Sequence, residues 1–318
     1  MKTHSGPAPY QKTLAGCVEL SGIGVHSGKP VNVTLHPADP NSGVVFSRTD
    51  LPGSPDITGH VDAVSATALC TVLGDPSGAH VMTVEHLMAA LRAMEVDNVL
   101  VEVDSPEMAV MDGSSEVFVD AIEQVGLIQQ AARRRFIRVL REVRVEAGSS
   151  WGVLRPHEGQ RYEVEIDFDN GAIGRQAYEG DLTPAAFRTD LCRARTFGFM
   201  KDVETLWAAG FALGSSLENS VVIGDDDAVV NPEGLRYEDE FVRHKTLDAI
   251  GDLALAGAPL LGVYRSYRGG HKLNALMLRA LLSDSENYEI TVGARVEPVA
   301  SGVGLLAQAG AAYSACKD

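Results

Sequence analysis

Apolar and polar residues alternate along the first part of the chain with the period of two that marks strands. In VNVTLHP (31–37), Val31, Val33 and Leu35 face one way and Asn32, Thr34 and His36 the other. GVVFSRT (43–49), TLAGCVEL (13–20) and NVLVEVDS (98–105) read as strands as well, whereas SGIGVHSGKP (21–30) is broken by glycine. Its Gly22–Gly28 segment superficially suggests a phosphate-binding loop, but a strand and not a helix follows. The pattern changes at residue 84. Leu87, Ala90, Leu91 and Met94 recur at helical spacing, which predicts a helix over Val84–Met94 with Thr83 as N-cap. A turn at MDGSS (111–115) and a helix over Glu116–Val125 complete a strand-rich α+β unit.

The second half repeats this logic. FIRVLREVRV, GVLRPH and YEVEIDFD read as strands, followed by a helix over FVRHKTLDAIGDL (241–253), a strand LLGVYRSY, a helix from His271 and a strand YEITVGARV. Between them, residues 195–224 read as strand, short helix, strand, unusually apolar for an insertion. That composition fits either an ordinary core or a slot for an acyl chain. At 318 residues the chain is expected to form two domains, 1–130 and 131–318, each α+β and each able to bury its own core. Six arginines, Arg133, Arg134, Arg135, Arg138, Arg141 and Arg144, run from the expected linker into a strand. A solvated strand edge protected from aggregation explains them, with a weak membrane-facing patch as the alternative.

Charge narrows the partners. The formal net charge of −16 argues against nucleic acid or an anionic membrane as the main partner, because either needs a basic face. Four cysteines without C-x-x-C spacing fit free thiols in a reducing compartment. MKTHSGPAPYQK has no apolar signal core, and no apolar run approaches a membrane span. A cytoplasmic monomer with at most transient membrane contact is the expectation.

Candidate chemistry lies on two of the helices. His244 and Asp248 stand at i and i+4, so both project from one helix face and can share a divalent cation. Taken alone, the tetrapeptide favours a solvated face or a capped histidine, and Leu247, Ile250, Leu253 and Ala254 supply an ordinary core stripe beside it. His86 offers a third ligand, and three protein ligands with one open position form the catalytic rather than the structural pattern for zinc. Glu85, adjoining His86, is then placed as a general base. His271, if Asp252 lies beside it, is a cationic acid able to protonate a leaving amine.

TALCTVL (67–73), TVEHLMAAL (83–91), MDGS (111–114), RARTFGFM (193–200), GLRYEDEFVRHKTLDAIGDL (234–253) and GHKLNAL (270–276) together resemble the signature blocks of the UDP-3-O-acyl-N-acetylglucosamine deacetylases, zinc amidases of lipid A biosynthesis in Gram-negative bacteria. The resemblance implies two similar two-layer α/β sandwiches packed helix layer to helix layer, with small inserts, and one Zn2+ per chain on His86, His244 and Asp248. It implies Glu85 as base, His271 as acid oriented by Asp252, and Thr196 as hydroxyl donor to the oxyanion. Lys245 would lie near the diphosphate of a UDP-linked acylated amino sugar, and Phe197 against the substrate. Val25, Val203, Ala212, Leu217 and Val222 would line an acyl passage formed by the insert. Cys70 matches a family cysteine near the site and is read as a buried structural thiol. The resemblance further implies hydrolysis of the N-acetyl group to free amine and acetate, in the cytoplasm with possible loose inner-membrane association. Rival readings are a zinc amidohydrolase acting on another N-acylated sugar or amino compound and a metal-stabilised lipid- or nucleotide-binding module without turnover. The apolar insert speaks against the first, the free Glu85 against the second.

Overall fold

The computed structural model describes residues 9–293. Its helices are α1 (Glu85–Ala93), α2 (Glu116–Val125), the single turn α3 (Pro184–Ala186), α4 (Val203–Ala208), α5 (Glu240–Ala254) and α6 (His271–Leu282). In the first half, strands Val18–Ile23, Pro30–Pro37, Val99–Val103, Val44–Arg48 and Ile57–Thr58 form a five-stranded sheet in that order, antiparallel except where Val44–Arg48 runs beside Val99–Val103. Alternation works here as expected: Val31, Val33 and Leu35 are buried, and Asn32 is exposed. In the second half, seven strands assemble around Leu260–Tyr267. That strand pairs antiparallel with Ser150–Arg155 and parallel with both Gln160–Asp167 and Arg135–Val139. The fold is thus mixed α/β in the α+β sense.

One continuous apolar core joins the two halves. It runs from Leu14, Leu35 and Val101 through Leu87 and Leu91 to Leu247, Ile250 and Leu278. Full burial of such side chains stabilises by about 1.5–3 kcal/mol each. A smaller cluster of Val164, Ile166, Val221, Ile223 and Phe241 lies between the second sheet and the insert. Helices α1 and α5 meet at Gly251, where a Cβ would come within 2.0 Å of the Glu85 carbonyl oxygen. That close backbone approach brings residues 85–86 level with residues 248–252.

Several local expectations are corrected. Thr83 is not the cap of α1. It takes a left-handed backbone (φ 59°) and its hydroxyl reaches Glu107 at 3.4 Å, while Val84 occupies the cap position without a side-chain hydrogen bond. TLAGCVEL divides into Tyr10–Leu14 and Val18–Ile23. FIRVLREVRV divides into Arg135–Val139 and Val143–Ala147, because Arg141 ties the bend to Asn287, Glu286 and Asp284. The expected linker is partly a strand, Leu127–Arg133, paired with Tyr10–Leu14. Its arginines are mostly ion-paired: Arg134 to Glu95 and Asp97, Arg138 to Glu158, Arg144 to Glu146. Arg144, on the edge strand Val143–Ala147, and the exposed Arg141 suit a solvated edge, whereas Arg134 is buried and the strand Arg135–Val139 is paired on both sides; the ion pairs leave little free charge for a lipid surface. Cys70 and Cys192 are free and buried, as expected of them, and Cys316 lies outside the described residues. Among the described residues no helix is long and apolar enough to cross a membrane. The expected strand YEITVGARV is a strand over Tyr288–Val292, and its last residues, with both chain ends, lie outside the described region.

Candidate metal centre and active site

Residues 244 and 248 stand one turn apart on α5, and residue 86 faces them from the first turn of α1. The ligand-capable atoms of His86, His244 and Asp248 all lie within 4.8 Å of one another, and all three residues are buried. Asp248 Oδ1 has no hydrogen-bond partner among the described residues, yet His244 Nε2 stands 3.3 Å from it and His86 Nε2 3.7 Å. A tetrahedral zinc site with Zn–N near 2.05 Å has ligand–ligand edges of about 3.3 Å. The spacing therefore fits an ion that satisfies the orphaned carboxylate oxygen.

Protonation points the same way. Burial pushes His86 down to about 3, with His244 adding to the effect, and burial likewise lowers His244. Burial opposes ionisation of Asp248, but His244 and Lys245 hold it well below the usual carboxylate range. Two neutral imidazoles and one carboxylate are the forms a divalent cation binds. His244 donates from Nδ1 to the Ala194 carbonyl at 3.0 Å, which leaves Nε2 to face the centre. His86 Nδ1 is buried without a partner.

A second pair of ionisable groups borders the three. Glu85 is 3% exposed; burial pushes its carboxyl up to about 7, with the cationic His271 pulling the other way. Burial opposes charge on His271, but Asp252 and Glu85 outweigh it and raise the imidazole to about 10. Nε2 of His271 lies 3.7 Å from Glu85 Oε1, and Nδ1 is 2.9 Å from Asp252 Oδ2. The site thus sets a carboxyl that titrates near neutrality against an imidazole that holds its proton.

The segment carrying Thr196 is fastened by its neighbour. Arg195 is buried and forms an ion pair with the fully buried Glu240 in the first turn of α5 (Nε to Oε1, 2.9 Å), and reaches Glu233 at 2.6 Å. Thr196 N donates to the Gly113 carbonyl at 2.8 Å. Gly113 has φ 82°, and a Cβ there would meet the Asn219 carbonyl oxygen at 2.0 Å, which gives the MDGS turn its glycine. Lys245 donates to Asp248 Oδ2 at 2.9 Å and lies over the Phe197 ring.

These residues open onto a cavity of about 520 Å³. Strands Phe197–Phe199 and Val221–Ile223, parallel to each other, and helix α4 frame it. The structure places Thr196, Phe197, Lys245, Val25, Val203, Ala212, Leu217 and Val222 on its wall together with Glu85, His86, His244, Asp248 and His271; Asp252 lies behind His271. Leu206 and Trp207, part of the apolar insert, share this wall, as do Leu69 and Met200, which sequence reasoning did not single out. The glycine-broken stretch serves this cavity: Val25 and His26 carbonyls accept from Gly214 N and Leu213 N, fastening the insert across it. Thr71 and Asn274, which touch Asp252, also escaped notice, although both stand inside the quoted motif blocks.

Residues 11–283 match the family described as LpxC, UDP-3-O-acyl N-acetylglycosamine deacetylase. The chain is 56% identical over 281 residues to the UDP-3-O-acyl-N-acetylglucosamine deacetylases of Brucella ovis and Brucella melitensis biotype 2, which covers 88% of this chain and 98% of each relative.

Proposed function

The chain belongs to the UDP-3-O-acyl-N-acetylglucosamine deacetylase family, and we propose that it performs zinc-dependent hydrolysis of the N-acetyl group of a UDP-linked, 3-O-acylated N-acetylglucosamine, the committed step of lipid A biosynthesis. Water and the amide are consumed; acetate and the free amine leave. One observation carries the reading: a carboxylate–imidazole pair 3.7 Å apart adjoins three converging metal-ligand groups at the mouth of an apolar cavity.

His86, His244 and Asp248 would hold Zn2+, which would supply Lewis acidity, lowering the pKa of water to near 7 and polarising the amide carbonyl. Glu85, poised near neutrality by burial, takes the proton of the attacking water. His271 keeps its proton at neutral pH and passes it from Nε2 to the departing nitrogen, while Asp252 fixes its orientation through Nδ1. The Thr196 hydroxyl donates to the carbonyl oxygen as negative charge develops there. Lys245, at the cavity wall beside Phe197, provides a cation for the diphosphate of the sugar nucleotide. That local charge lets a chain of net charge −16 take an anionic substrate. The wall formed by Val25, Val203, Ala212, Leu217 and Val222 accepts the 3-O-acyl chain, an apolar length no small polar substrate would need.

We read the chain as two domains meeting near residue 130, with the metal centre at their seam, active as a cytoplasmic monomer with at most loose inner-membrane contact. Incubation of the purified protein with the UDP-linked substrate should release acetate, a chelator should stop it, and zinc should restore it. His244→Ala should lose both bound zinc and acetate release. Chelator-resistant turnover, or an unchanged zinc stoichiometry in His244→Ala, would overturn the metal assignment.

A further inference from the structure

The base and the acid belong to different elements, and one buried side chain ties their supports together. Thr71 immediately precedes the strand Val72–Gly74 and is 2% exposed. Its backbone N–H donates to Glu85 Oε2 at 3.1 Å, and its hydroxyl donates to Asp252 Oδ1 at 2.5 Å. Asp252 is a buried carboxylate with three donors: Thr71 Oγ1 on Oδ1, and both His271 Nδ1 (2.9 Å) and Asn274 Nδ2 (2.8 Å) on Oδ2. Tyr264 O–H donates to Asn274 Oδ1 at 2.6 Å, which sets the amide so that its NH2 faces Asp252. Of these contacts, the one from Thr71 alone occupies Oδ1. Two residues earlier, Leu69 has a left-handed backbone (φ 67°), and the reversal there aims both donors of Thr71 inward.

Resting on the deacetylase reading above, we propose that Thr71 is a positioning residue for the reaction: its hydroxyl holds the Asp252 carboxylate in the plane that orients His271, while its amide holds Glu85. A carboxylate buried with one oxygen undonated rotates or recruits water to recover the missing hydrogen bond. Either change turns the His271 ring and moves its Nε2 away from the leaving nitrogen. Thr71 does not line the cavity and its hydroxyl is bonded to Asp252, so its loss acts on the chemical step and not on substrate binding.

The test uses the zinc-loaded full chain. Thr71→Val keeps the shape and the backbone N–H but removes the hydroxyl; Thr71→Ser restores it. Thr71→Val should lower kcat about 10–100-fold with KM within about 3-fold, as expected for misplacement of an acid–base group, and should keep one zinc per chain. Thr71→Ser should recover most of the rate. In an Asp252→Asn background, Thr71→Val should cost little further, because the two act through one contact. As a readout independent of turnover, the His271 Nδ1–H proton should be observable by NMR in wild type and in Thr71→Ser, and broadened by exchange in Thr71→Val. If Thr71→Val does not fold, Thr71→Ala is compared with Thr71→Ser in the same assays. A Thr71→Val or Thr71→Ala enzyme with near wild-type kcat and an unchanged Nδ1–H signal overturns the proposal. So does a Thr71→Ser enzyme as slow as the valine variant. A wild-type chain that binds zinc yet releases no acetate overturns the functional reading itself, an outcome separable from a fast Thr71→Val enzyme.

Discussion

Glu85 and His271 show how burial acts on single residues. Without their surroundings, a glutamate is too weak a base for water and a histidine loses its proton near neutrality. Desolvation lifts Glu85 to about 7, and the Asp252 and Glu85 carboxylates lift His271, against burial, to about 10. Glu85 must be deprotonated to work and His271 protonated. Activity should therefore rise as pH climbs through the Glu85 transition and fall as it passes that of His271, giving a bell in kcat/KM. A bound cation favours the deprotonated form of each, so both limbs should lie below these metal-free values, and the two groups titrate as a pair. A rate that keeps rising through the alkaline range would remove His271 as the acid. Glu85→Gln should lower kcat by about 10²–10⁴-fold with zinc still bound, checked by acetate release beside metal analysis. At this scale much was legible from residue type and spacing: His244-x-x-x-Asp248 and Glu85-His86 already name donors and a base. Thr71 was not legible, because a threonine in a strand-like run has the same appearance whether it fills space or holds a carboxylate.

At the scale of elements, the crossing of α1 and α5 sets the geometry of the metal centre. Gly251 permits it; any side chain there collides with the Glu85 backbone, not with a flexible tip. Gly251→Val should force the helices apart, cost about 1–3 kcal/mol by overpacking, and weaken zinc binding together with activity. Thermal melts and zinc titration measure both, and a variant with unchanged zinc affinity would show that the crossing does not position the ligands. Period-two and helical spacing located most elements to within a few residues, since the same burial that forms the core writes those periods. They failed where a tertiary contact overrides local preference. Thr83 looks like a cap, yet its hydroxyl is directed to Glu107, and the run FIRVLREVRV bends because Arg141 reaches the segment before Tyr288.

Over the whole molecule, a continuous core joins the halves and encloses a carboxylate and two imidazoles that satisfy one another poorly without a cation. Zinc binding should accordingly stabilise the fold, by about 2.7 kcal/mol at free zinc 100 times its dissociation constant. Chelation should lower the melting temperature, re-addition of zinc should restore it, and His244→Ala should show neither shift; an indifferent melting temperature in the wild type would argue against a site in this seam. Residue order alone settles the α+β class, the acidic balance, the motif blocks and the donors on each helix face, because periodicity, charge and i, i+4 spacing are local properties carried by the chain itself. Which donors share a point in space is decided only by folding. The nearest backbone approach of α1 to α5, the hydrogen bonds from Thr71 to two carboxylates and the insert drawn across the cavity join residues as far apart in sequence as Val25 and Gly214. No local pattern encodes such separations; packing and desolvation select them.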